Sequence, residues 1–293
     1  MSFTIATTLD DALAAIAAGA RPIAGGTDLV VGARHGKAPL PADLVAIDRI
    51  EALQQVTVTG DGLTVGAAVS HHTIETDPRI GATWSALADG SALVGSPATR
   101  HVGTLGGNVM NASPAMDTGA PLVVLGAEVE LRSTGGTRRV PIGELWTGPG
   151  RTTAAAGELC VAVHVPAPAA RSGSAYLRLE YRRAMEIAVV GAAAAVTLAD
   201  DGSVASVRVA LSAVAPTILE ITGLAGGSVA EVAAAAQTAA SAQARPITDV
   251  RATDAFRRNG VPGADLRHGI APSVAPLYPG ADAHDPESRP EAG

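Results

Sequence analysis

Residues 100–117 read Arg-His-Val-Gly-Thr-Leu-Gly-Gly-Asn-Val-Met-Asn-Ala-Ser-Pro-Ala-Met-Asp, a run short of bulky side chains. Gly103, Gly106 and Gly107 let the backbone turn tightly and let another molecule approach its N–H groups. Thr104, Asn108, Asn111, Ser113 and Asp117 set small polar groups between them. The combination suits an extended ligand carrying phosphates and hydroxyls, although a Gly-rich surface turn explains the composition equally simply. A second stretch shifts that balance. Residues 21–29, Arg-Pro-Ile-Ala-Gly-Gly-Thr-Asp-Leu, form another small-residue loop between two short apolar runs. Successive N–H groups around Gly25, Gly26 and Thr27 can make an anion-binding nest. Two such loops in one domain can clamp a dinucleotide between them.

Composition narrows the fold and the partners. The 293 residues suffice for two domains, and a hydrophobic fraction of 47% can build a sizeable core. Aromatics are only 2%, so that core must come from Ala, Val, Leu and Ile. Mean hydropathy is +0.26, yet no apolar run is long and charge-free enough to span a bilayer. No basic region precedes an apolar one at the N-terminus, so no Sec-type leader is expected. The net charge of −7 argues against nucleic acid as a partner. Cys160 is the only cysteine, which excludes a disulfide framework, a zinc site or an iron–sulfur cluster held by this chain alone. A reducing, cytoplasmic location fits. Within an apolar run, Cys160 reads as a small buried hydrophobe.

In chain order, residues 8–19 form a helix: Thr8 caps it, Asp10 and Asp11 favour its positive end, and Gly19 suits its C′ position. A strand over 22–24, the first loop and a strand over 44–47 follow. The Gly-x-Gly-x-x-Gly fingerprint is missing, which speaks against a Rossmann domain. Val56 and Val58 against Leu63, Val65 and Ala67, across Gly60-Asp61-Gly62, read as a β-hairpin. Ser70 caps a short helix bearing His71 and His72, which read as surface histidines pointing about 100° apart. Residues 79–87 read as one helix and 120–125 as another. Strands follow over 128–132, 138–142 and 158–165. A linker spans 166–173. Three antiparallel strands (175–183, 187–198, 204–212) and helices over 228–242 and 249–258 then make a smaller α+β domain. The tail from about Pro272 is rich in Pro, Ala and Asp.

The pair Ala24-Gly-Gly-Thr-Asp28 and Val102-Gly-Thr-Leu-Gly-Gly-Asn108, followed by Asn111-Ala-Ser-Pro114 and Asp117, resembles the FAD-binding subunit of the molybdenum hydroxylases. That family includes the flavin subunits of carbon monoxide dehydrogenase and xanthine dehydrogenase. The likeness runs from Phe3 to Arg258. It implies an α+β fold: a two-subdomain FAD-binding fold of the PCMH (vanillyl-alcohol-oxidase-like) type, then a smaller C-terminal domain with a three-stranded antiparallel sheet and helices. The implied division is a FAD-binding domain over 1–170 (subdomains 1–52 and 53–170), a C-terminal domain over 174–270 and a tail over 271–293.

The resemblance also implies roles. Pro22, Ile23, Ala24, Gly25, Gly26, Thr27, Asp28 and Leu29 match the first FAD loop, whose amides hold pyrophosphate oxygens. For Asp28, a helix or turn cap is the competing role. Val102, Gly103, Thr104, Gly106, Gly107 and Asn108 match the second loop, with Asn111 further along it. Asp117 matches an acid that contacts ribityl or ribose hydroxyls. Leu159 and Cys160 match a strand near the flavin or adenine. Arg178 falls where relatives often carry lysine, beside the flavin; Glu186 stands where aspartate is commoner. Val94 stands where some relatives place an aromatic ring. No catalytic acid or base and no metal ligand is expected in this chain. The implied partners are a large molybdopterin-binding subunit and a small subunit with [2Fe–2S] clusters, in a dimer of heterotrimers, with an external electron acceptor. Two other readings stay open: a free-standing flavoprotein oxidase or reductase of the related fold, and a non-catalytic interaction protein that keeps the loops only as turns.

Overall fold

The computed structural model describes residues 2–182 and 185–263. The expected tail over 271–293, Arg183 and the end of the C-terminal domain beyond 263 lie outside the described residues.

The first unit alternates strand and helix. It comprises β1 (Ser2–Ile5), α1 (Leu9–Ala17), β2 (Arg21–Ile23), α2 (Leu29–Arg34) and β3 (Asp43–Ala46). Its sheet is parallel, in the order β1-β3-β2. Thr8 caps α1 by accepting from the Asp11 N–H, and Gly19 takes φ +102° just past its end. Ala12, Leu13 and Ile16 on one face of α1 pack with Val45 and Ile47 in a small core. The parallel order leaves the C-terminal end of β2, where the first glycine loop begins, beside the neighbouring unit.

That unit opens with the expected hairpin, β4 (Val56–Thr59) and β5 (Gly62–Gly66). Six short helices follow: α3 (His71–Thr76), α4 (Pro78–Thr83), α5 (Ser85–Ala92), α6 (Pro97–Val102), α7 (Leu105–Asn111) and α8 (Gly119–Val124). The single helix expected over 79–87 is two helices. Trp84 breaks them with φ −121° and ψ 49°, a conformation held because its indole N–H donates to the Pro166 carbonyl at 3.0 Å. The chain then runs through β6 (Glu128–Ser133), β7 (Gly136–Pro141), α9 (Ile142–Leu145), β8 (Trp146–Gly148), β9 (Arg151–Thr152) and β10 (Leu159–Pro166). Between α9 and β10, β8 and β9 form a small antiparallel pair. The main sheet is antiparallel, ordered β4-β5-β10-β6-β7. Its core is Leu, Val and Ile with few rings, as the composition requires. The second tryptophan, Trp146, donates its indole N–H to the Val109 carbonyl at 2.9 Å and so pins α7 to the sheet side.

The third unit contains β11 (Ser172–Leu179), β12 (Val190–Leu198), β13 (Val204–Ser212), β14 (Leu219–Ile221), α10 (Val229–Gln243) and α11 (Asp254–Gly263). Its sheet is antiparallel in that order and has four strands, not three. The fourth is three residues long with Glu220 at its centre, too short to show a period. Ala192 and Ala194 on β12 share a core with Ala233, Ala236 and Ala240 on α10. Small side chains there let helix and sheet approach closely. The last helix begins at Asp254 because Asp249 folds the chain before it: its carboxylate accepts from the N–H groups of Arg251 and Ala252 and from Arg257.

Candidate functional site

The two glycine loops meet. A Cβ at Gly25 would lie 1.7 Å from the carbonyl oxygen of Val102, so the backbones of the loops rest directly on each other there. Gly26 takes φ +67°, which turns the chain from β2 into α2. Among the described residues, no backbone carbonyl accepts from the N–H groups of Gly25, Gly26, Thr27 or Asp28. Four neighbouring donors without acceptors make a positively polarised concavity. Asp28 precedes α2 but its side chain makes no capping bond. Burial raises its carboxyl above the usual range, with Lys37 pulling the other way.

The second loop spends its N–H groups differently. Gly103 donates to Thr99 O at 2.7 Å, Leu105 to Val69 O and Gly106 to Ala67 O at 3.0 Å each. Thr104 caps α7 by accepting from the Gly107 N–H at 3.1 Å. Asn108 accepts from the Thr118 hydroxyl at 2.6 Å. Asn111 ends α7, and Ala112 follows in the left-handed region at φ 51°. The glycines of this loop serve different ends. A Cβ at Gly106 would stand 2.5 Å from the Ala67 Cβ and 2.7 Å from its carbonyl oxygen. A Cβ at Gly107 would meet only the Thr104 hydroxyl, at 3.0 Å, and otherwise open space. Gly106 is required by the fold, whereas Gly107 leaves a face bare.

Asp117 lies at the seam between the second and third units. It is buried, and it accepts from the Tyr176 hydroxyl at 2.9 Å and from Arg178 Nη1 at 3.0 Å. Arg178 has a side chain only 1% exposed and also donates to Leu93 O, Glu186 O and Glu180. One guanidinium thus serves two carboxylates. Burial pushes the Asp117 carboxyl up to about 7, against the pull of Arg178 and the Tyr176 hydroxyl. Tyr176 escaped the sequence reading; only the scarcity of aromatics, with three tyrosines in the chain, could have singled it out.

Leu159 and Cys160 open β10 and are both buried, Leu159 in the core of the first unit and Cys160 in that of the second. Burial raises the thiol to about 12. Pro22 and Ile23 lie on β2, half-buried. The structure therefore gathers the two loops, sets Asp117 with Arg178, and places Leu159 and Cys160 in the walls behind.

Of the two adjacent histidines, one lies as expected and one does not. His72 is a surface residue, bonded to Glu75 at 2.9 Å and stacked on His101 with ring centroids 3.8 Å apart. Glu75 also pairs with Arg100 Nε at 2.9 Å. His71, expected at the surface, is 1% exposed, and its Nδ1 has no hydrogen-bond partner. Burial lowers it to about 4, with Glu75 opposing and Arg100 reinforcing. Its place at the start of α3, against the second loop, buries it.

A cavity of about 860 Å³ lies elsewhere, between the main sheet and the C-terminal sheet, lined by Asp61, Glu128, Arg139, His164, Arg208 and Glu220 among others. It touches neither glycine loop. Among the described residues, no group of three or more His, Cys, Asp or Glu is placed to hold a metal, and no helix is long and apolar enough to cross a membrane.

The family described as the FAD binding domain in molybdopterin dehydrogenase matches residues 1–168, and the CO dehydrogenase flavoprotein C-terminal domain matches residues 175–263. The chain is 33% identical to a putative xanthine dehydrogenase FAD-binding subunit of Escherichia coli, over 74% of this chain and 75% of that protein. It is 29% identical to the carbon monoxide dehydrogenase medium chain of Hydrogenophaga pseudoflava, over 78% and 81% respectively. In three dimensions it is similar to a chain of the Cu,Mo-CO dehydrogenase, with a TM-score of 0.88 and 28% identity over 94% of this chain and 98% of that one. The two loops, the three-unit architecture and these matches together place the chain in the family of FAD-binding medium subunits of molybdenum hydroxylases, alongside those of xanthine and carbon monoxide dehydrogenases.

Proposed function

We propose that this chain is the FAD-carrying electron-transfer subunit of a molybdenum hydroxylase complex. The observation that carries the reading is the row of N–H groups from Gly25 to Asp28, free of backbone acceptors and set against the loop that bears the open face of Gly107. Those donors fit a pyrophosphate, which needs several amides and no bulky side chain. When bound, FAD supplies the redox chemistry, relaying electrons from [2Fe–2S] clusters of a small partner subunit to an external acceptor.

The residues of this chain bind and position. Ala24 to Leu29, with Pro22 and Ile23 behind them, hold the diphosphate through backbone amides and the Thr27 hydroxyl. Val102, Gly103, Thr104, Gly107 and Asn108 close the other side, and Asn111 extends that wall. Gly106 acts by letting α7 sit on Ala67. Leu159 and Cys160 act through their backbone, since their side chains are committed to the cores. Asp117 and Arg178 brace the seam, where Glu180 also holds the guanidinium, so their part is to position the chain around the flavin. No side chain acts as a catalytic acid or base. The division into a FAD-binding domain over 1–170, with subdomains 1–52 and 53–170, and a C-terminal domain over 174–270 belongs to the same proposal. So do a molybdopterin-binding large subunit, a dimer of heterotrimers and a cytoplasmic location.

The test is the absorbance spectrum of the purified full chain, before and after denaturation, with mass analysis of what is released. Close to equimolar released FAD is the expected result. Colourless protein that takes up no added FAD overturns the reading. Flavin that stays attached after denaturation, or substrate oxidation by the isolated chain, favours a free-standing oxidase instead.

A further inference from the structure

Arg100 stands behind the second loop and has no role in the site as described. It lies on α6, whose six residues are too few to hold a helix in place by themselves. The last of them, Val102, carries the carbonyl on which Gly25 rests. A Cβ on the next residue, Gly103, would stand 3.5 Å from the Thr27 hydroxyl of the first loop. The closure between the two loops therefore moves with α6.

What fixes α6 is α3. The His71 backbone N–H donates to Gly103 O at 3.0 Å, which joins the two helices at the crossing end. One turn further along α3, Glu75 joins them again. Arg100 Nε stands 2.9 Å from Glu75 Oε2, while Glu75 Oε1 holds His72 at 2.9 Å, and His72 stacks on His101 of α6. Both members of the ion pair are largely buried, with side chains 16% and 14% exposed. Burial works to raise the Glu75 carboxyl, but His72 and Arg100 hold it below its usual range, so it is charged at neutral pH. Arg100 Nε makes no hydrogen bond, so charge is what keeps it beside Glu75. A buried guanidinium that lost this countercharge would be costly to keep in place. Arg100 Nη1 also reaches the Val94 carbonyl at 3.4 Å, in the turn before α6. One guanidinium thus ties the approach to α6, α6 itself and α3.

We propose that Arg100 is a positioning residue for FAD: paired with Glu75, it holds α6 on α3 and so keeps the Val102 carbonyl and Gly103 at the spacing from the first loop that the diphosphate requires. The assignment rests on the placement of the diphosphate proposed above. It asks for no contact between either side chain and the ligand. It differs from a merely structural role in where the loss appears: in how FAD is held, and not only in how firmly the FAD-free chain stays folded.

The full chain is stripped of FAD and titrated with FAD, following flavin fluorescence. The visible circular dichroism of the FAD-saturated protein and the melting temperature of the FAD-free protein are recorded beside it. Arg100→Gln and Glu75→Gln should each raise the FAD dissociation constant about tenfold, as expected if about one molecule in ten keeps the binding spacing. The double variant should lose little more than either single one, because the two residues act as one pair. Arg100→Lys, which keeps the charge, should recover most of the affinity. At saturation the flavin dichroism of both glutamine variants should differ from wild type, since the cofactor then sits in an altered frame. A lower melting temperature alone, with the saturated spectrum unchanged and FAD bound within about a factor of two of wild type, overturns the assignment. So does Arg100→Lys as weak as Arg100→Gln, or additive losses in the double variant. Should Arg100→Gln not fold, the other two single variants decide: Glu75→Gln weak with Arg100→Lys near wild type supports the pair, and equal affinities refute it. Failure of the wild-type chain to bind FAD overturns the loop reading itself, whereas wild-type binding with unaltered variants overturns this assignment alone.

Discussion

Gly106 and Gly107 are neighbours in one motif, and replacing each by alanine should give opposite phenotypes. At Gly106 the new Cβ would stand 2.5 Å from the Ala67 Cβ, 2.7 Å from its oxygen and 2.9 Å from its Cα. Two of those three atoms are backbone, and the Gly106 N–H already bonds that same oxygen at 3.0 Å. Relief requires α7 to lift from the chain after β5. Overpacking of this kind costs about 1–3 kcal/mol, and the gain from replacing a helical glycine offsets at most about 1 kcal/mol of it. At roughly 2–4 °C per kcal/mol, Gly106→Ala should melt several degrees lower. At Gly107 the only close neighbour is the Thr104 hydroxyl at 3.0 Å, so helix propensity and that tight contact nearly cancel. The FAD-free Gly107→Ala protein should melt near wild type, but its methyl stands on the face left for the ligand. FAD affinity should fall at least about tenfold, equivalent to about 1.4 kcal/mol. Gly107→Val should expel FAD. The assay is a melt of the FAD-free protein beside an FAD titration. Stoichiometric FAD in Gly107→Val, or equal melting losses for Gly106→Ala and Gly107→Ala, would refute the division of roles.

Asp117 predicts a pH effect on stability. Its carboxyl titrates near 7 when folded and at 3.8 when unfolded, so the folded state holds its proton over that interval and the unfolded state does not. The group therefore stabilises at acid pH, and about 2–3 kcal/mol of that contribution is lost between pH 5 and pH 8. Unfolding free energies of wild type and Asp117→Asn at both pH values check this; a difference independent of pH sinks it. Cys160 is buried with its thiol pushed up to about 12, so thiol reagents at pH 8 should label it only after unfolding. Rapid labelling of the native protein would contradict its placement. Thr104→Ala removes the cap of α7 and should cost about 1 kcal/mol in a denaturant titration, with weaker FAD binding as α7 frays.

Local chemistry made most elements legible. Thr8 and Ser70 cap helices as their residue type and position require, whereas the helix that Thr104 caps lies in the stretch read only as a loop. The alternation of Val56, Val58, Leu63 and Val65 gave the hairpin its register. What failed depended on distant partners. Trp84 breaks a helix because a carbonyl 82 residues away accepts its indole N–H. The strand Leu219–Ile221 exists because β13 offers it an edge, which no three-residue window can announce. His71 is buried because Gly103 lies over it, and a helix start otherwise reads as surface.

The site was legible as a pair of loops but not as a division of labour. Small residues in both stretches signalled a backbone that something approaches closely. At Gly25 and Gly106 that something is the protein itself: the Val102 carbonyl in one case and Ala67 in the other. The glycine signal therefore has two causes, and only the fold separates them. First-loop amides lack backbone acceptors while most second-loop amides are spent, so the two halves of the clamp cannot act alike. The first loop offers N–H donors to a negative group; the second offers space and side chains. Asp117 and Arg178, 61 residues apart, were read as two separate contacts to a ligand, yet each is the other's partner. Arg178 is compensated by Glu180 as well, whereas Asp117 without Arg178 would keep only the Tyr176 hydroxyl, so the aspartate depends on the pair more than the arginine does. Their proposed contribution to flavin binding is accordingly positional, exerted from a seam that their own contacts already close.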